Sequence, residues 1–233
     1  MDTKNVNKIY FLLISFIPLS IVIGPSISLL NIIFLSLIFL IFNISNEINK
    51  IKNNKTVLIL FFIFIYLIFN LLISDNFKNS SFRNLGYIRF ILFFLAINFF
   101  FYNSKKNEKI FFIWSLTIFI ILADSYIEFF AGKNLIGYGK IEEIYGDRIV
   151  SFFKDEPIVG GYILGFFLII LGYLFNSYYY NHNKVKKILI LLFSVLAITS
   201  IFLTGERSNT IKSVFALILF YALNKNFSIK QKF

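Results

Sequence analysis

The chain has 233 residues, 58% of them hydrophobic, 20% aromatic and only 15% charged, and no soluble domain of this size can bury so much apolar surface. Its 23 basic and 12 acidic residues leave a formal charge of +11, which in so apolar a chain points to cationic loops beside anionic lipid and not to nucleic acid. With no cysteine and a single histidine, His182, disulfides, thiolate chemistry and most histidine-based metal sites are excluded.

A helix crosses the hydrocarbon with about 20 mostly apolar residues. Runs of that kind occur in chain order at 9–24, 26–44, 57–73, 82–102, 110–130, 158–180, 188–204 and 208–223. The expected fold is therefore all-α, a single polytopic transmembrane bundle over residues 1–233 with about eight spans. Pro18 and Pro25 punctuate the first pair, and Gly24-Pro25 reads as a tight turn. The first run is short, yet it lacks a small-x-small cleavage site and leads directly into another span, so it reads as a span and not as a signal sequence.

The charges between spans test this topology separately. With both termini cytoplasmic, the inner segments hold 14 of the basic residues and the outer ones seven; Arg89 and Lys212 fall within spans. Every short inner loop is lysine-rich, as the positive-inside rule requires. One outer loop is long, 131–157, and its acids Glu142, Glu143, Asp147, Asp155 and Glu156 slightly outnumber its bases. The 33 phenylalanines read as lipid-facing filler.

Ionisable groups inside a membrane are expensive and mark candidate sites. Four qualify: Arg89, Asp124, Glu128 and Lys212. At 1.5 Å per residue, Arg89 lies roughly 10 Å below the outer surface, Asp124 roughly 9 Å and Glu128 about 3 Å. Asp124 and Glu128 share a helix face, and a salt bridge between Arg89 and Asp124 is the simplest way to satisfy both. Glu128 and Lys212 are shallow enough to snorkel. All four belong to the outer third, which suits an enzyme working at its outer face better than a transporter with carboxylates at the midplane.

Two stretches depart from generic lipid-facing helix. Residues 148–166 place Arg148 before an aromatic pair, the acids Asp155-Glu156, Pro157 and the small pair Gly160-Gly161. Residues 203–210 end a span at Gly205, continue with Glu206-Arg207, and offer Ser208 or Asn209 as the cap of the next helix. Together they resemble the O-antigen ligase and O-antigen polymerase family of polytopic bacterial inner-membrane enzymes. The first motif is carried by Arg148, Phe152, Asp155, Glu156, Gly160 or Gly161, and Leu164; the second is carried by Thr204, Glu206, Arg207 and Ser208. The stretch from Asp124 to Gly139 is also similar, so that the resemblance covers about residues 80–223.

The resemblance implies glycosyl transfer at the periplasmic face. The donor would be an undecaprenyl-diphosphate-linked glycan, and the acceptor a second lipid-linked glycan or a lipid A core. Arg148 and Arg207, with Arg89 and Asp124, would then be substrate-binding residues, since arginine offers a diphosphate a permanently charged bidentate fork. Glu156 or Glu206 would be the catalytic base. Membrane lipids and polysaccharide-assembly proteins would be the other partners. Family members usually have about ten to twelve spans and a further large outer loop, so the chain reads as a C-terminally truncated or shortened relative. The rival readings are a lipid-linked glycan flippase or transporter and a non-catalytic membrane subunit. No cofactor and no metal site is expected; an ion held by Glu142, Glu143 and Asp147 is less favoured than a solvated acidic stretch, and His182 reads as a solvated inner-loop residue. The topology predicts that Lys140→Cys reacts with an impermeant thiol reagent added from outside, and that Val185→Cys reacts only after the membrane is opened. The reverse order would displace every outer-face assignment.

Overall fold

A computed structural model describes residues 3–45, 47, 54–74, 77–104, 106–139, 148–154, 156, 158–179 and 184–223. They form nine α-helices: α1 (Thr3–Ile23), α2 (Pro25–Phe42), α3 (Lys55–Ile73), α4 (Phe77–Leu85), α5 (Ile88–Asn103), α6 (Asn107–Ala131), α7 (Val159–Leu174), α8 (Lys184–Leu203) and α9 (Arg207–Leu223). A 3-10 turn at Ser151–Phe153 precedes α7, and a π-helical turn at Phe175–Tyr179 follows it. Among the described residues there is no strand, only an isolated antiparallel bridge between Lys133 and Gly139.

Seven helical segments are long and apolar enough to cross a membrane: Asn5–Ile23, Pro25–Phe42, Lys55–Ile73, Ser80–Asn103, Asn107–Ala131, Val159–Ser177 and Lys184–Leu203. The chain is thus an all-helical, multi-pass membrane protein. The eighth expected run forms α9, whose 17 residues leave it one short of the shortest of the seven and outside that set. The first run, short in sequence, gains a polar turn at its start and becomes a 21-residue helix.

The chain divides into two compact units, Met1–Ile110 and Phe111–Phe233. In the first, α2 packs on α1 and on α5. Gly24 holds φ at 149° and ψ at 165°, and Pro25 follows at the start of α2. That backbone region is open almost only to glycine, which explains the sharp return of the chain. Asn31, nearly buried on α2, donates to the Leu13 carbonyl of α1 at 3.1 Å. In a bilayer such bonds hold helices together where no hydrophobic effect can. At the far end of this hairpin the Tyr10 hydroxyl donates to Asn43 at 3.0 Å, and its ring meets Phe99 and Phe100 of α5 at about 6 Å.

The fourth span differs from the uninterrupted helix expected over 82–102. It breaks at Gly86-Tyr87, where the Tyr87 amide donates to the Asn84 carbonyl at 3.3 Å in a tightened turn. Glycine weakens a helix interior, and a kink at such a site has an identifiable cause. On the outgoing side Asn84, 2% exposed, donates to the Leu67 carbonyl at 2.9 Å and fastens α4 along α3.

In the second unit α7 is the central helix, with Ile163, Phe167 and Ile170 fully buried. Phe111 of α6 stacks on Tyr173 at 4.0 Å between centroids, and Trp114 meets Phe166 edge-on at 5.5 Å. Phe167 meets Phe193 of α8 at 5.8 Å, and Phe175 meets Phe220 of α9 at 5.2 Å. The Tyr126 hydroxyl of α6 donates to the Leu196 carbonyl of α8 at 3.0 Å. Part of the phenylalanine content is therefore core, although residues such as Phe62 and Phe130 remain outward facing. Replacement of Gly24 by alanine meets no neighbouring atom, so its expected cost is backbone strain alone, about 1–3 kcal/mol. Thermal unfolding in detergent should show the lowered midpoint, and an unchanged midpoint would mean that the turn relaxes.

Candidate functional site

The loop that leaves α6 is built around Asn134. Its side-chain oxygen accepts from the Ile136 amide at 3.0 Å and the Tyr138 amide at 2.7 Å, while the Asn134 amide donates to the Tyr138 carbonyl at 2.6 Å. An Asx turn of this kind is what Asn-x-x-Gly sequences favour. The Asn134 amide group then donates to the Ser151 carbonyl at 2.5 Å, tying the start of the loop to its end.

Ser151 is where the loop returns. Ile149, Val150 and Ser151 are all fully buried, and Phe153 is 8% exposed against Tyr162 at 5.1 Å between centroids. The segment is a plug in the end of the unit. Buried backbone must find partners, and two carboxylates on α6 supply them. Glu128 accepts from the Val150 amide at 3.1 Å and from the Ser151 amide at 2.6 Å. Asp124 accepts from the Ser151 hydroxyl at 2.5 Å and from the Leu135 amide at 2.9 Å. Ser151 sits at φ 47°, a left-handed conformation that non-glycine residues rarely adopt, and all three of its polar groups are engaged. Strained backbone of this sort persists only where its surroundings over-determine it.

This geometry revises one expectation. Glu128 does not snorkel to an interface: it is 0% exposed and bonded to the plug. Asp124, also 0% exposed, has both oxygens engaged within its own unit, which makes it a residue that positions the loop. Arg89 belongs to the other unit, where its Nε is buried and without a hydrogen-bond partner and its guanidinium carbon lies 4.9 Å from the Phe90 ring centre. Lys212 is exposed on α9.

Directly before the plug stands Arg148, exposed to solvent. Its Cγ is 3.5 Å from the point where a side chain on Gly205 would begin. Gly205, at φ 74°, forms the turn from α8 into α9, so the two sequence motifs come together. Arg207, the first residue of α9, is likewise exposed.

Between them, Glu206 links the starts of α7 and α9. One carboxylate oxygen accepts from the Gly160 amide in the first turn of α7 at 2.7 Å, and the other accepts from the Asn209 side chain. Free amides and the helix dipole favour an anion at that end. Only glycine fits at 160: an added Cβ would stand 2.7 Å from the Thr204 hydroxyl and 3.0 Å from Glu206. The cap of α9 also differs from the expected Ser208 or Asn209. Glu206 itself precedes the helix, its carbonyl accepting from the Asn209 and Thr210 amides at 3.0 Å each, because the turn at Gly205 leaves Arg207 already helical.

Glu156 is exposed in the irregular link between plug and α7. Asp155 and Pro157 of the first motif, the acids Glu142, Glu143 and Asp147, and His182 lie outside the described residues. No group of three or more potential metal ligands occurs among the described residues. Sequence reasoning missed Ser151 and Asn134. The signal was indirect: two carboxylates one turn apart repel unless donors stand before them, and nothing local selects which loop residue provides the donors.

Comparison with family models, with curated proteins and with solved structures gives no match. Removal of the Ser151 hydroxyl in Ser151→Ala should leave an Asp124 oxygen short of a donor in a buried site, at a cost of about 1–3 kcal/mol. Limited proteolysis within 131–157 reports it as faster cleavage, whereas wild-type resistance would mean that the plug is held without Asp124.

Proposed function

We propose that the protein is a glycosyltransferase of the O-antigen polymerase or ligase type. It would act on an undecaprenyl-diphosphate-linked glycan at the periplasmic face of a bacterial inner membrane. The observation that carries this reading is the meeting of the two motifs: Arg148 lies against the Gly205 turn from which Glu206 and Arg207 emerge. Two exposed, permanently charged guanidinium groups at one end of one unit suit a diphosphate headgroup. The N-terminus of α9 adds a favourable field for an anion beside Arg207.

In the proposed reaction an acceptor hydroxyl attacks the anomeric carbon of the donor. The bond from that carbon to the diphosphate oxygen breaks as the new glycosidic bond forms. Undecaprenyl diphosphate leaves with its negative charge held by Arg148 and Arg207, and the hydroxyl proton passes to a carboxylate. Of the two expected bases, Glu156 is exposed and able to take that role, while Glu206 has both oxygens engaged and serves to hold the α7 and α9 ends in register. Stabilising charge as it develops on a leaving group is the largest contribution a preorganised site makes.

A strain lacking the gene should lose its long-chain surface glycan and regain it with the wild-type chain. Arg207→Ala, expressed to the same level, should leave a defect of about 100-fold or more in transfer, and Arg148→Ala a comparable one. An unchanged glycan profile in the deletion strain would overturn the proposal.

A further inference from the structure

Arg89 is the one charged residue in the first unit that lies well inside a span, at the helix break that opens α5. Gly86 leaves a notch there. A Cβ at Gly86 would stand 2.6 Å from the Phe82 carbonyl oxygen and 3.6 Å from Arg89 Nη1, so the guanidinium folds back over the break toward α4. Its Nε is buried without an acceptor, and the Phe90 ring 4.9 Å away covers one face of the cation but accepts no hydrogen bond in the guanidinium plane. The backbone at this point is fixed, because the Arg89 carbonyl accepts from Ser36 of α2 at 3.2 Å.

Arginine cannot discharge this cost by losing its proton. Nor do the described carboxylates of its unit stand nearby. Glu47 lies past the end of α2, where it shares a cavity lining with Leu95, Asn98 and Tyr102 farther along α5, and Glu108 lies 19 residues beyond Arg89. Among the described residues, this cation keeps a buried donor that no acceptor meets.

The nine-residue helix α4 indicates what acceptor suits it. It carries two exposed cations, Lys78 and Arg83, each directly after an outward-facing aromatic, Phe77 (58% exposed) and Phe82 (82%). Aromatic anchors alternating with cations are the composition of a helix seated at lipid headgroups. The anion in reach of a guanidinium just beneath such a helix is a phosphate.

We propose that Arg89, in the notch at Gly86, binds the phosphate of a membrane lipid headgroup, with Arg83 and Lys78 at the rim. The site stands on the first unit alone and does not depend on glycosyl transfer.

The test uses the full chain, delipidated in detergent, with phosphatidylglycerol, a phosphate-free galactolipid or sodium phosphate added back. Bound lipid is counted by native mass spectrometry, and stability is followed by thermal unfolding. The wild type should bind phosphatidylglycerol about tenfold more tightly than Arg89→Gln, and should gain stability from it but not from the galactolipid. Phosphatidylglycerol binding by Arg89→Gln equal to wild type would overturn the site, as would equal stabilisation by the galactolipid. Equal stabilisation by sodium phosphate would overturn the assignment to a lipid. If Arg89→Gln does not fold, Arg89→Lys keeps the charge but loses the planar fork, and should bind phosphatidylglycerol several-fold more weakly than wild type. Equal binding by that variant would then overturn the site.

Discussion

Two carboxylates buried in one turn of a membrane helix are the constraint on which the second unit depends. Asp124 and Glu128 are both 0% exposed, and a bare carboxylate in such surroundings is costly enough to unfold the segment that carries it. The solution is to bring donors to them. The loop after α6 turns back, inserts Ile149, Val150 and Ser151, and presents two amides and a hydroxyl to the pair. Charge burial and loop order are therefore one interaction: the carboxylates need the plug, and the plug's backbone needs the carboxylates.

That coupling has consequences for the exposed residues around it. Arg148 precedes the plug by one residue, so its backbone is as well fixed as the buried segment while its side chain remains in solvent. On the opposite side, the close approach of Gly160 to Thr204 and Glu206 seats the start of α7 on the α8–α9 turn, and Arg207 follows that turn. A flexible surface arginine binds an anion weakly because its ordering must be supplied at binding. Preorganised cations lose less. The unit thus uses neutral and negative buried groups to present positive exposed ones.

The first unit meets the problem of intramembrane charge in another way. Its polar side chains at helix contacts are mainly carboxamides and hydroxyls, as where Asn31 and Asn84 reach carbonyls of neighbouring helices. Their amide groups donate without ions, although the Asn31 side-chain oxygen is itself buried without a hydrogen-bond partner. Arg89 differs, since a guanidinium brings five donors and one of them, Nε, is buried with no acceptor. The carboxylates of the second unit find backbone donors in their own loop.

The helices were legible in the amino-acid sequence because membrane-spanning segments are specified locally. An apolar run of sufficient length forms a helix in lipid whatever it packs against, and so the runs from 9–24 to 188–204 reappear as helices with ends shifted by a few residues. The turn at Gly24-Pro25 was equally local. The importance of Asp124 and Glu128 could be read from the cost of burying charge, but their partners could not. That Ser151 would meet both, that Glu128 would be sealed from solvent, that Glu206 and not Ser208 would precede α9, and that a glycine would break the fourth span at residue 86 all followed from packing. Hydropathy and helical period are properties of neighbouring residues along a chain. The choice of a hydrogen-bond partner 22 or 46 residues away is made only when helices come together.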